Sequence, residues 1–80
     1  MNTAEPRLAS SLRNITITVN GEVRRFVPPL TVAQLLQQLD LAGKRVALEK
    51  NGAIVPRGRH ADEPIGEGDR LEIVVAVGGG

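Results

Sequence analysis

Twice in 80 residues the chain sets Asn before Gly between apolar runs, at Asn20-Gly21 and at Asn51-Gly52. This pair suits a two-residue hairpin turn, because both central positions need positive φ, which Gly adopts freely and Asn tolerates. Each turn therefore folds its flanking segments together as antiparallel strands. Ahead of the first, "ITITV" at 15–19 alternates strictly, with Ile15, Ile17 and Val19 on one face and Thr16 and Thr18 on the other. That is the pattern of a half-buried strand. "EVRRF" at 22–26 is its return, with Phe26 closing the end. Ahead of the second turn, Val46 to Glu49 or Lys50 reads as a strand, and Ala53 to Val55 as a brief apolar return that Pro56 ends. "RLEIVVAV" predicts the last strand, with Leu71, Ile73 and Val75 inward and Glu72, Val74 and Ala76 outward.

Between the hairpins lies one helix. Pro28 and Pro29 stop the second strand, and Thr31 follows as an N-cap with Gln34 three residues on, the spacing of a capping box. Leu30 and Leu35 stand at the N′ and N4 positions of a hydrophobic staple. Val32, Leu35, Leu36 and Leu39 keep the i, i+3, i+4, i+7 stripe of a helix buried on one face. Gly43 ends this short helix or its exit turn. "RGRHADEPIGEGD" at 57–69 is loop, with room for one 3₁₀ turn. The economical packing is α+β: one short helix on one face of a small mixed sheet of four to five strands, the first and last strands paired in the middle.

A chain this small buries only about 60% of the surface its unfolded form exposes. With one Phe and no Trp or Tyr, its core must come from Leu, Ile and Val. The absence of Cys rules out disulfides, thiolate catalysis and zinc-thiolate or iron–sulfur sites, and suits a reducing cytoplasm, the expected location. Net charge is +1, and from Asn14 onward the two signs cancel at eight each. With no basic field and no aromatic stacking platforms, nucleic acid is not an expected partner. No apolar run approaches the ~18 residues of a membrane span.

Residues 1–13 read as a disordered leader, 14–76 as the folded domain and 77–80 as a flexible glycine tail. His60 stands alone in a charged loop with no nucleophile to serve, and reads as a surface residue. Asp62, Glu63, Glu67 and Asp69 lack the alternation of a calcium loop and read as a solvated turn, Arg57 and Arg59 as surface charges. "GEG" at 66–68 has no helix behind it and is a turn rather than a phosphate cradle. No catalytic residue, metal ligand or bound cofactor is expected.

The segments "ITVNGE" (17–22), "LTVAQLLQQLDL" (30–41), "VALEKNGAIVPR" (46–57) and "EGDRLEIVVAVGGG" (67–80) resemble the ThiS/MoaD family of ubiquitin-like β-grasp sulfur carriers, the thiamin-biosynthesis branch most closely. The most specific of these is N-x-x-I-V-P-R at 51–57, at this distance from the terminal glycines. The resemblance implies a protein substrate rather than an enzyme. A ThiF-like adenylating enzyme would use ATP to activate the Gly80 carboxylate. Sulfur from a cysteine desulfurase or persulfide protein would then convert it to a thiocarboxylate, which would serve a ThiG-like thiazole synthase. Gly79 and Gly78 would give the tail access to these partners, since residues without Cβ approach a nucleotide closely. From Ala76 to Gly80 an extended chain reaches at most ~18 Å. Val74, Ile54 and Val55 form a candidate docking surface. Two alternatives stand: the small subunit of molybdopterin synthase, with the same tail chemistry, and a β-grasp interaction module with no covalent role. A single Phe and the direct passage from hairpin to helix favour the thiamin branch.

Overall fold

A computed structural model describes residues 14–76. Strands β1 (Ile15–Val19) and β2 (Glu22–Phe26) form the first hairpin, in register from Ile15 opposite Phe26 to Val19 opposite Glu22. At its turn Asn20 and Gly21 have φ of 51° and 84°, as the Asn-Gly pair requires. A two-residue strand, β3 (Leu30–Thr31), leads into helix α1 (Val32–Gln38). Strands β4 (Val46–Lys50) and β5 (Ala53–Ile54) flank the second Asn-Gly turn. A 3₁₀ turn at Arg57–Arg59, a two-residue strand β6 (Pro64–Ile65) and the long strand β7 (Arg70–Val75) complete the chain.

The main sheet runs β2-β1-β7-β4-β5, with β7 parallel to β1 and antiparallel to β4. The first and last strands thus occupy its interior, as their apolar content anticipates. The small pair β3-β6 has no counterpart in the sequence pattern, where Pro64 and Ile65 fall in the loop at 57–69. Two residues carry no readable period, and this strand exists because Leu30 and Ile65 are both pulled into the core.

α1 begins as its sequence dictates. The Thr31 hydroxyl accepts from the Gln34 N–H at 3.2 Å, and the Gln34 side chain accepts from the Thr31 N–H at 2.8 Å. The N–H groups of Val32 and Ala33, which a helix cannot satisfy itself, donate to the carbonyls of Glu63 and His60. Loop 57–63 therefore caps the helix from outside. At the other end, Asp40 rather than a glycine takes the left-handed position, φ 62°. The bonds Asp40 N–H to Gln37 O and Leu41 N–H to Leu36 O make a Schellman closure, while Gly43 serves the exit turn.

Ile15, Ile17, Val19, Leu30, Val32, Leu35, Leu36, Leu48, Val55, Ile65, Leu71 and Ile73 make one core between helix and sheet, with Phe26, Leu39, Leu41 and Val46 packed at its margin. Val75 keeps the inward parity of β7, yet it is 36% exposed, against 0% for Leu71. It sits where the strand leaves the body, beyond the residues that α1 covers.

Candidate functional site

The sequence expects function at the chain's C-terminal end, so the stem that carries this end is the structural question. β7 is held on both flanks over its first half. On one side Val46 to Lys50 pair with it residue by residue, Val46 opposite Val75 and Lys50 opposite Leu71. On the other, β1 pairs only through Thr18 and Val19. The last backbone bond of the described chain runs from the Ala76 N–H to the Arg45 carbonyl, 2.9 Å. β7 therefore runs without a turn from the middle of the sheet to the edge of the body. Gly78, Gly79 and Gly80, the expected reacting and access residues, lie outside the described residues, as does the expected leader at 1–13.

One face of the sheet packs on α1, and the other has no described element over it. On this open face Val74 lies opposite Ala47, Glu72 opposite Glu49, and Glu49 opposite Ile54. Val74 and Ile54 are 66% and 71% exposed, and with Ala47 they line a shallow groove bordered by the two glutamates. Two of the three anticipated surface residues are thus on one face. Val55 is not: it is 7% exposed, its N–H bonds to the Leu48 carbonyl, and its side chain belongs to the core. Successive strand residues point to opposite faces, so Ile54 outward obliges Val55 inward. The residue that replaces it, Ala47, is legible from the same rule, because Val46 and Leu48 face in.

The loop at 57–69 departs most from its sequence reading. His60, anticipated at the surface, is 8% exposed, and its Nε2–H donates to the Val55 carbonyl at 3.0 Å. It links β5, the loop and the start of α1. Three of the four acidic residues also make structural bonds, while Asp62 is exposed as expected. Glu67 accepts from the Thr16 N–H at 2.9 Å, and Asp69 accepts from the Gly66 N–H at 2.8 Å and from Asn51 Nδ2 at 2.9 Å. Glu63 sits between Lys50 at 2.7 Å and Arg59 at 3.2 Å. The Lys50 ammonium holds the Glu63 carboxyl below the ordinary carboxylate range, its hydrogen bond outweighing partial burial, with Arg59 adding to it. Among the described residues no three His, Cys, Asp or Glu side chains gather to hold a metal ion, and no helix is long and apolar enough to cross a membrane.

A hairpin, a helix across one sheet face and a final strand inserted beside the first define a ubiquitin-like β-grasp domain, here with its C-terminal strand directed out of the body. Within that class the chain belongs to the ThiS family, whose model matches residues 17–80. It is similar to the crystal structure of the thiamine biosynthesis protein ThiS from Geobacter metallireducens, with a TM-score of 0.71 and 30% identity, covering 82% of this chain and all of that one. A thiazole synthase of Paramagnetospirillum magneticum is 42% identical over 64 residues, which are 80% of this chain and 20% of that protein. The uncharacterized protein ycf40 of Porphyra purpurea is 37% identical over 68 residues, 85% of this chain and 96% of that one. The chain thus spans about a fifth of the thiazole synthase and nearly all of ycf40.

Proposed function

We propose that the protein is a sulfur carrier for thiazole formation in thiamin biosynthesis, with Gly80 as its reacting residue. The observation that carries this reading is the course of β7, which runs from the sheet interior to the edge of the body and is followed in the sequence by Ala76, Val77 and three glycines, in a chain of the ThiS family. The Gly80 carboxylate attacks the α-phosphorus of ATP in an adenylating enzyme and displaces pyrophosphate. Hydrosulfide then attacks the acyl carbon and expels AMP, leaving a thiocarboxylate; a persulfide donor forms an acyl disulfide that a second thiol must cleave to release it. The carboxylate alone is a poor electrophile, and the adenylate supplies its leaving group. The thiocarboxylate so formed delivers sulfur to a thiazole synthase, and the carrier is returned as the carboxylate.

In this reading the body is a co-substrate and not an enzyme. Its part is to dock and to aim the tail. Gly78 and Gly79 let the terminus enter a channel that side chains would block. Threading the tail costs roughly 1–2 kcal/mol per ordered residue, so contacts made by the body must offset it. The groove of Val74, Ala47 and Ile54 is the surface for that contact. Its flanking Glu49 and Glu72 call for a partner with basic residues around an apolar centre. A thiazole synthase that carries a similar segment within its own chain supports the pairing of this carrier with that enzyme class.

Intact-mass measurement tests the reading directly. With ATP, sulfide and a ThiF-like enzyme, the protein should gain ~16 Da as a terminal oxygen is exchanged for sulfur in nucleophilic acyl substitution. Deletion of Gly79 and Gly80 should leave the fold intact and abolish the gain. A full-length chain that gains no mass, or a truncated one that still supports thiazole formation, would exclude the carrier role in favour of a β-grasp interaction module.

A further inference from the structure

β7 is longer than the strand beside it. β1 accompanies it only to Val19, opposite Leu71, and then turns away at Asn20-Gly21. The even-numbered residues of β7 direct their backbone groups to β4, as the Ala76 N–H to Arg45 O bond shows, so the odd-numbered ones face the flank where β1 has ended. Ile73 would be the first residue without a partner there. Instead the Asn20 side chain takes the place of a strand residue. Its Oδ1 accepts from the Ile73 N–H at 2.7 Å and its Nδ2 donates to the Ile73 carbonyl at 3.1 Å, while its backbone N–H donates to Leu71 O at 2.9 Å. A primary amide reproduces the donor and acceptor of a peptide group, and here it adds one rung to the ladder.

The second Asn-Gly turn does the same at the other end of β7. Asn51 Oδ1 accepts from the Arg70 N–H at 2.8 Å, its Nδ2 donates to Asp69, and its own N–H donates to Arg70 O at 2.8 Å. The two asparagines have nearly the same backbone, φ 51° and 54°. They differ in where they grip: Asn51 at the entry of β7, Asn20 three residues from Ala76.

We infer that Asn20 is a positioning residue: its amide holds the last two-sided rung of β7 and thereby fixes the direction in which residues 74–76 present the tail to the activating enzyme. This rests on the carrier reading, and deepens it. Beyond Ile73 the strand has, among the described residues, β4 alone, so without the amide the exit segment gains freedom to swing or to fray from Arg45. The residue is then needed twice, once for the turn and once for the tail.

Asn20→Gly separates these roles, since Gly accepts the turn's positive φ and lacks only the amide. Asn51→Gly is the matched control. Amide hydrogen exchange and steady-state adenylation kinetics are measured on both variants, with carrier concentration varied against a ThiF-like enzyme. In Asn20→Gly, exchange at Ile73 and Ala76 should quicken about tenfold more than at Leu48, the signature of local opening. The KM for carrier should rise about fivefold, with kcat changed less than twofold. Asn51→Gly should lower stability with no selective effect at Ile73 and Ala76 and no change in KM. Asn20→Asp, which keeps the acceptor for the Ile73 N–H, should fall between wild type and Asn20→Gly, and it serves as well if the glycine variant folds poorly. A uniform exchange increase in Asn20→Gly, or a wild-type KM, overturns the inference. If the wild-type protein is never adenylated, the carrier reading fails instead, while the exchange pattern still decides whether the amide holds the exit segment.

Discussion

Replacing His60 by Ala should destabilise the domain substantially and leave the tail's chemistry untouched. The Nε2–H is the donor to the Val55 carbonyl, and both residues are over 90% buried. A buried acceptor left without its donor costs about 1–3 kcal/mol. Truncating the ring also empties the space between β5 and the start of α1, adding apolar loss, so about 2–3 kcal/mol in all is expected. Domains of this size have total stabilities of roughly 3–9 kcal/mol. The variant thus loses about a fifth or more of its stability, and its Tm should fall by about 10–20 °C at the 4–8 °C per kcal/mol usual for small domains. Far-UV circular dichroism is the suitable probe, because the chain has no Trp or Tyr for fluorescence. Thiocarboxylate formation, measured well below the variant's Tm, should proceed at the wild-type rate. A stability change under 0.5 kcal/mol would refute the clamp and return His60 to the surface role its sequence context suggests, since that is the range of ordinary surface substitutions.

Other consequences are as direct. Thr31→Ala removes one side of the capping box and should cost about 0.5–2 kcal/mol in chemical denaturation, with Gln34→Ala costing less. Asp40→Gly places the residue the Schellman closure prefers at φ 62° and should raise stability by about 0.5–1 kcal/mol, measured by the same denaturation. Because the Glu63 pKa is lower folded than unfolded, the stability it contributes is present above the unfolded value near 4.5 and is lost as pH falls through the folded value. Glu63→Gln should therefore flatten the acid limb of the stability profile and leave its slope at neutral pH unchanged. On the open sheet face, Val74→Asp or Ile54→Asp should raise the carrier KM for adenylation about tenfold with little effect on Tm, since both side chains are largely exposed.

Local rules carried most of the architecture. The two hairpins, the capping box, the staple and the strand faces follow from turn chemistry, capping and periods of two or 3.6, each decided by residues a few positions apart. What escaped depends on contacts made across the chain. Leu30 and Ile65 meet from 35 positions away, and β6 owes its existence to that meeting. His60 looked like a surface residue because its neighbours are charged, yet its partner Val55 lies on the far side of a 3₁₀ turn that folds the ring inward. The bonds of Glu63, Glu67 and Asp69 are hidden in the sequence because their partners, Lys50, Thr16 and Asn51, belong to other strands and to the second turn. Val55 is a different case, an error of parity: pairing it with Ile54 on one surface contradicts the alternation already applied to every other strand.

The same distinction explains why the asparagines matter more than their turns suggest. An Asn-Gly pair is fully accounted for by hairpin geometry, so nothing local points to a second role for the side chain. In this fold, however, the last strand lies between the two hairpins, and each turn ends one rung short of covering it. An amide at each turn closes that gap, at Arg70 and at Ile73. A Gly-Gly turn would preserve both hairpins and leave β7 with open rungs at each end. The strand that a carrier must hold firmly is thus secured by residues whose local purpose is to reverse the chain. Loss of the amide should accordingly disturb tail presentation at Asn20 and stability alone at Asn51.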